Sequence, residues 1–234
     1  MKISVIIPVF NQIAFTIKCL ESLARHDPVH EIIVIDNGST DSTAQQLDIL
    51  SDAITVITND VNRGFAVACN QGAEAATGNI LYFLNNDTIV HPGFTRMVLM
   101  LENPDVGIVG PKLVYPDLSI QSAGIAVDFD RPLGLEAWNL CIDWTNEPTD
   151  VFAVSGAALA IRKETFEILG GFDQQYWNGY EDVDLCLTSI FSGYRNIYYP
   201  RSLITHFESQ SGPERFSAVT ANVNLLRKKW ETKL

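Results

Sequence analysis

The 234-residue chain is predicted to be a single-domain α/β protein built on a mostly parallel, doubly wound sheet. Three observations predict it. Four short aliphatic runs, at residues 3–7, 32–35, 54–57 and 80–84, are continuous and rich in β-branched residues, as strands covered on both faces are. Amphipathic stretches alternate with them: Ile13, Ile17, Leu20 and Ala24 recur at helical spacing, and residues 66–76 behave alike before Thr77-Gly78 stops them. Strand-helix-strand alternation of this kind favours crossover connections and parallel neighbours. The units share no sequence, so they form no internal repeat, and no linker divides residues 1–234.

Past Asp87 the pattern changes. Residues 94–101 read as a short helix, and 106–114 and 120–129 as strand-like pieces. The polar, proline-bearing stretch 130–150 reads as a long surface excursion. An apolar run at 151–161 predicts a strand, 181–192 a helix, 194–199 another strand and 218–230 a closing helix. A first half at 1–110 and a second at 111–234 then share one domain.

Composition excludes several classes. With 47% hydrophobic and 19% charged residues the chain is an ordinary globular protein. Its 28 acidic and 16 basic residues give a net charge of −12, so its overall field repels nucleic acid, and no nucleic-acid partner is expected. Cys19, Cys69, Cys141 and Cys186 lie far apart without a Cys-x-x-Cys pair, which reads as reduced thiols inside a core. No run approaches the roughly twenty apolar residues that span a bilayer. The opening run is interrupted by Pro8 and lacks a small-residue cleavage site, so it reads as a strand and not a signal peptide. The expected location is cytoplasmic, with peripheral contact at the inner membrane face left open.

In an open parallel sheet, ligands sit at the carboxyl ends of the strands. The residues following the four runs are Pro8-Val9-Phe10-Asn11, Asp36-Asn37-Gly38-Ser39-Thr40-Asp41, Asn62-Arg63-Gly64-Phe65-Ala66 and Asn85-Asn86-Asp87-Thr88. Each cluster singly could cap a helix or turn the chain. Four in succession point to a ligand site. The chain has neither a Gly-x-Gly-x-x-Gly after the first strand nor a Gly-Lys-Ser/Thr loop, which argues against a dinucleotide dehydrogenase and a phosphate-loop NTPase. A bound nucleotide diphosphate would then need another countercharge. A divalent cation on Asp87 supplies one, because Mg2+ and Mn2+ favour one or two carboxylates supplemented by phosphate oxygens.

A second cluster is Trp177-Asn178-Gly179-Tyr180-Glu181-Asp182-Val183-Asp184. Its acids could simply complement a helix dipole, while Trp177 and Tyr180 suit stacking on a sugar ring. Together with Ser4 to Asn11, Ile33 to Ser42, Asn62-Arg63-Gly64-Phe65, Leu84 to Thr88, Gly170-Gly171-Phe172-Asp173 and His206, this cluster makes the chain resemble the family 2 glycosyltransferases of the A-type fold. The motifs run in the family's order through almost the whole chain.

The resemblance implies a nucleotide-sugar-binding first half and an acceptor-binding, catalytic second half. It places Pro8, Val9, Phe10, Asn11, Asp36 and Asn37 around the base and ribose, and closes Asn62, Arg63 and Gly64 over the nucleotide. Asn85-Asn86-Asp87 stands where the family has Asp-x-Asp. Asn86 would then face the nucleotide, and Asp87, completed by His206, would hold Mn2+ or Mg2+; Asn85 replaces the first acid. Asp182 falls at the family's catalytic base, Glu181 beside it orients acceptor or loop, Asp184 turns away, and Thr188 replaces a frequent arginine. Gly171, Phe172 and residues 152–160 are expected to shape the sugar pocket. The implied reaction is inverting transfer from a dTDP- or UDP-sugar to a hydroxyl of a glycan or lipid-linked acceptor, as in surface polysaccharide synthesis. A nucleotidyltransferase and an idle carbohydrate-binding protein are the competing readings. The first normally carries a glycine-rich basic loop after the first strand, which this chain lacks, and the second would release no nucleoside diphosphate.

Overall fold

A computed structural model of the chain describes residues 1–128, 135–142, 144–208 and 217–231. The first strand, β1 (Ile3–Val9), is followed by helix α1 (Ile13–Arg25), β2 (Glu31–Asn37), α2 (Thr43–Ile49), β3 (Thr55–Asn59), α3 (Phe65–Ala75) and β4 (Ile80–Leu84). All three pairings among these strands, β1 with β2, β1 with β4 and β2 with β3, are parallel. The apolar runs thus form a parallel half-sheet in the order β4-β1-β2-β3. Because successive side chains leave a strand on opposite faces, Val5, Ile7 and Val9 enter one core and Ile6 the other. Helix α1 packs Cys19, Leu20 and Leu23 on the first face; α3 packs Ala66, Cys69 and Ala73 on the second.

The second half completes the same sheet. A short strand β5 (Thr88–Val90) and a 3-10 helix (Phe94–Glu102) lead into β6 (Val106–Val114) and β7 (Ile120–Ser122). A separate hairpin joins β8 (Ile125–Asp128) to β9 (Glu136–Asn139). Then come β10 (Thr149–Val151), β11 (Ala158–Arg162), α4 (Lys163–Ile168), α5 (Glu181–Phe191), β12 (Arg195–His206) and α6 (Val219–Trp230). The ten-stranded sheet runs β10-β12-β6-β11-β4-β1-β2-β3, with β5 on β12 and β7 on β6. Strand β12 is parallel to β6, but β11 lies antiparallel between β4 and β6.

Several expectations are corrected. The stretch 130–150 is no plain surface excursion: within its described part, β9 pairs with β8 and β10 begins at Thr149 to pair with β12. Residues 130–134 and 143, and Phe129 at the end of the expected 120–129 strand, lie outside the described residues. The 151–161 run is not one strand; β11 starts only at Ala158, since its partner β4 ends at Leu84. Strand β12 extends past 199 to His206, bending at a register shift between Tyr199 and Leu203. Cys19, Cys69 and Cys186 are buried, whereas Cys141 is exposed.

Candidate active site

At the carboxyl end of β1, Asn11 and Gln12 both adopt left-handed backbone, at φ 59° and 61°. The Asn11 side chain explains the turn: its Oδ1 accepts the Thr40 N–H (2.7 Å) and Asp41 N–H (3.2 Å), while its own N–H donates to Ser39 Oγ (2.8 Å). The first two strand-end clusters are thereby stapled together. Pro8 and Phe10 are half-buried around this staple, and the Val9 side chain enters the core. Asp36 is buried at the end of β2 and accepts the Ser39 N–H at 3.0 Å.

Asn37 spends its amide on the third cluster. Its Nδ2 donates to Asn62 Oδ1 (3.0 Å) and the Gly64 carbonyl (3.2 Å), and its Oδ1 accepts from Arg63 N–H (3.1 Å) and Asn59 Nδ2 (3.0 Å). Asn62 in turn caps the Gly64 N–H at 2.9 Å. Both amides therefore shape the loop that carries Arg63, whose exposed guanidinium has no protein partner among the described residues. Gly64 sits at φ 83°, and a Cβ there would come within 3.1 Å of the Trp177 ring. That contact, with the Phe65 N–H donating to Asn178 Oδ1 (2.9 Å), ties the loop to the aromatic segment.

The Asn85-Asn86-Asp87 segment leaves β4 into β5, which pairs with the end of β12 so that Thr88 faces His206. His206 Nε2 lies 3.1 Å from Asp87 Oδ1 and 3.3 Å from Asn85 Nδ2, with both His206 and Asp87 almost fully buried. Asn86 turns the other way and donates to Thr16 Oγ1 at 3.0 Å. Among the described residues no three His, Cys, Asp or Glu side chains converge. A carboxylate and an imidazole nitrogen side by side fit a hard divalent cation that draws its other ligands from a diphosphate and water, and would leave such an ion underligated without them.

Helix α5 starts at an irregular loop: Asn178 and Tyr180 have φ of 50° and 72°, and Gly179 149°. The loop is held from behind by Asn222 of α6, whose Nδ2 donates to the Trp177 and Gly179 carbonyls (2.9 Å each) and whose Oδ1 accepts the Trp177 N–H (3.2 Å). Glu181 reaches back to accept the Gly179 N–H at 2.6 Å. Burial, and then the Asp182 charge beside it, push the Glu181 carboxyl up to about 8. Asp182 is also raised by burial, against the N–H groups of Gly156 (2.7 Å) and Val183 (2.8 Å) that it accepts. A carboxylate raised in this way is a stronger proton acceptor than an exposed one. Tyr180 is half-buried beside it and Trp177 partly exposed.

Asp184 points elsewhere. Its Oδ1 accepts from Trp230 Nε1 (2.7 Å) and Tyr176 OH (3.2 Å), and its Oδ2 pairs with Lys229 Nζ at 2.7 Å, pinning α5 to α6. Gly170, Gly171, Phe172 and Thr188 line a cavity of about 480 Å³ against Lys229 and Trp230, on that same side of α5 as Asp184. Phe172 itself is core, ringed by Phe65, Phe83 and Phe166.

A two-residue strut joins the acidic and Asn-Asn-Asp clusters. Gly156 gives its N–H to Asp182, and the next residue, Ala157, gives its carbonyl to the Asn85 N–H at 2.9 Å. A Cβ on Gly156 would approach the Asp182 Cβ to 3.1 Å, so glycine permits this closeness. Gln121 was not anticipated: its Oε1 lies 2.7 Å from His206 Nδ1. Nor was Asn222. Each is one polar residue among others in its element, and the pattern gives no hint of a contact 85 or 45 positions away.

The architecture matches solved glycosyltransferases. The mannosyltransferase PcManGT of Pyrobaculum calidifontis, solved with GDP-Man and Mn2+, superposes with a TM-score of 0.69 over 94% of this chain and 61% of its own, at 23% identity. The chain has the A-type glycosyltransferase fold. Over residues 4–157 it matches the model of the glycosyl transferase family 2, and it belongs to that family. The O-antigen biosynthesis protein RfbC of Myxococcus xanthus is 29% identical over 90% of this chain, which spans 18% of that protein. An N-acetylglucosaminyl-diphospho-decaprenol L-rhamnosyltransferase of Mycobacterium tuberculosis is 27% identical over 81% of this chain and 70% of the enzyme.

Proposed function

We propose that the chain transfers a sugar, with inversion, from a dTDP- or UDP-sugar to a hydroxyl of a glycan or lipid-linked acceptor in surface polysaccharide synthesis. The observation that carries this reading is the Gly156–Ala157 strut, whose adjacent backbone groups link the Asp182 carboxylate to the Asn85-Asn86-Asp87 segment. The names of the Myxococcus and Mycobacterium relatives support the same class of substrate.

Residues 1–110 would hold the donor and 111–234 the acceptor. Pro8, Phe10, Asn11, Asp36 and the backbone of Val9 would form the floor for base and ribose, Asn37 and Asn62 would shape the covering loop, Arg63 would supply a positive charge, and the Asn86 backbone would lie beside the diphosphate, its side chain being held by Thr16. Trp177 and Tyr180 offer ring faces to the sugars. The acceptor oxygen attacks the anomeric carbon while the bond to the diphosphate oxygen breaks on the opposite face, and Asp182 takes the hydroxyl proton. Glu181 holds the Gly179 turn and so orients Asp182. Asp87 and His206 would hold Mn2+ or Mg2+, which when bound neutralises charge growing on the leaving diphosphate. Among the described residues no helix is long and apolar enough to cross a membrane, and we infer peripheral contact at the inner membrane face through a lipid-linked acceptor.

A turnover screen of nucleotide sugars with Mn2+ and Mg2+ tests the reading. Release of a nucleoside diphosphate only when an acceptor is present, with an inverted anomeric centre in the product by NMR, is expected. Tight binding of a donor without any diphosphate released from any acceptor would overturn transfer in favour of an idle binding protein.

A further inference from the structure

His206 is held on both ring nitrogens, and the partners on one side are themselves oriented. Gln121 Nε2 donates to Glu208 Oε2 at 3.3 Å, and the Tyr115 hydroxyl donates to the same oxygen at 3.0 Å. A carboxylate only accepts, so the Gln121 NH2 must face Glu208 and its carbonyl oxygen must face His206 Nδ1, 2.7 Å away. A carbonyl oxygen only accepts as well, so Nδ1 carries the hydrogen. On the other side the Asn85 NH2 points at Nε2 from 3.3 Å, and a donor there calls for a bare nitrogen. Asp87 Oδ1 faces the same Nε2 from 3.1 Å in a buried place and calls for a hydrogen or a cation there, and a cation satisfies it while leaving Nε2 the bare nitrogen that Asn85 asks for.

Resting on the cation reading above, we propose that Glu208 and Gln121 are positioning residues that fix His206 with hydrogen on Nδ1 and thereby present Nε2 as a cation ligand beside Asp87. The relay runs from β7 to the residue pair at the end of β12, so it brings the second half of the chain to bear on a segment that leaves β4. Outer hydrogen-bond partners of this kind are commonly worth ten- to a hundredfold in metal affinity.

The test measures the His206 tautomer by 15N NMR, assigned by loss of its signal in His206→Asn, and Mn2+ affinity by calorimetry in the presence of UDP. Wild type should show hydrogen on Nδ1. Gln121→Leu should lose that preference and bind Mn2+ about ten- to a hundredfold more weakly, with UDP affinity in the absence of metal unchanged. The exchanged pair Gln121→Glu with Glu208→Gln again sets an acceptor against Nδ1 and a donor against that acceptor, and should restore both readouts. Hydrogen on Nε2 in the wild type, or a folded Gln121→Leu that binds Mn2+ as tightly as wild type, overturns the relay. Failure of wild type to take up Mn2+ with UDP overturns the cation reading and the ligand role with it, even where the tautomer is as expected.

Discussion

Asp182 and Asp184 stand two residues apart on α5 and face different neighbours: one meets the Gly156 N–H, the other Lys229, Tyr176 and Trp230. Their amide variants should therefore fail differently. Asp182→Asn removes the proton acceptor while keeping its size, so kcat should fall roughly a hundred- to ten-thousandfold with donor affinity retained; steady-state kinetics and calorimetry decide it. Asp184→Asn breaks an ion pair whose carboxylate is buried, which costs on the order of 3 kcal/mol and should lower the melting temperature by several degrees. Its kcat per folded molecule should stay close to wild type. Glu181 gives a pH signature. Its carboxyl is raised in the folded chain from 4.5 to about 8, chiefly by burial, so the fold favours the neutral form. That contribution is complete below 4.5 and is lost as pH climbs through about 8. Glu181→Gln keeps a neutral acceptor for the Gly179 N–H, so its stability relative to wild type should rise across that window, by at most about 1.4 kcal/mol per pH unit. Denaturant unfolding at pH 5 and pH 9 measures the gap, and an equal gap at both would refute the assignment.

At the scale of elements, the strands of the first half were legible because continuous β-branched runs have one physical use, burial on both faces. The direction of β11 was not legible, since an apolar run carries no polarity; only pairing with β4 and β6 sets it antiparallel. Helices α2 and α4, of seven and six residues, and the three-residue β5 are too short to show a period. Of the candidate site, the strand-end clusters could be read in advance, but the labour within them could not. Asn37 and Asn62 look like ligand contacts in sequence, whereas in space their amides are taken up by the Arg63 loop. Helix α6 shows the reverse, a polar Asn222 on a closing helix that holds the Trp177 loop by three hydrogen bonds. Asn222→Ala should raise the acceptor KM several-fold with little change in donor affinity, because the loop loses its brace while the Arg63 loop keeps its own. Acceptor titration at saturating donor checks this.

For the whole molecule, the candidate cation ligands come from distant parts of the chain, Asp87 after β4 and His206 at the end of β12. Loading that site should stiffen the domain as a unit. UDP with Mn2+ at a hundred times its dissociation constant should stabilise the fold by about 2.7 kcal/mol, visible as a single shifted melting transition; Asp87→Ala should abolish the Mn2+-dependent part of the shift. The reversed strand has an outcome of another kind. Because β11 runs against β4, it is the start of β11, and not its finish, that arrives at the carboxyl ends of the parallel strands, and the strut Gly156–Ala157 is the chain's entry into the sheet. The backbone just upstream, residues 152–157, forms no ladder with β4 or β6. It is tied instead to the small hairpin, Ala153 exchanging two backbone hydrogen bonds with Ile125 at 2.7 and 3.3 Å, so the mouth of the site is shared between this segment and β8, and a different acceptor preference would be grafted by changing the exposed side chain at Phe152 and not the length of the chain.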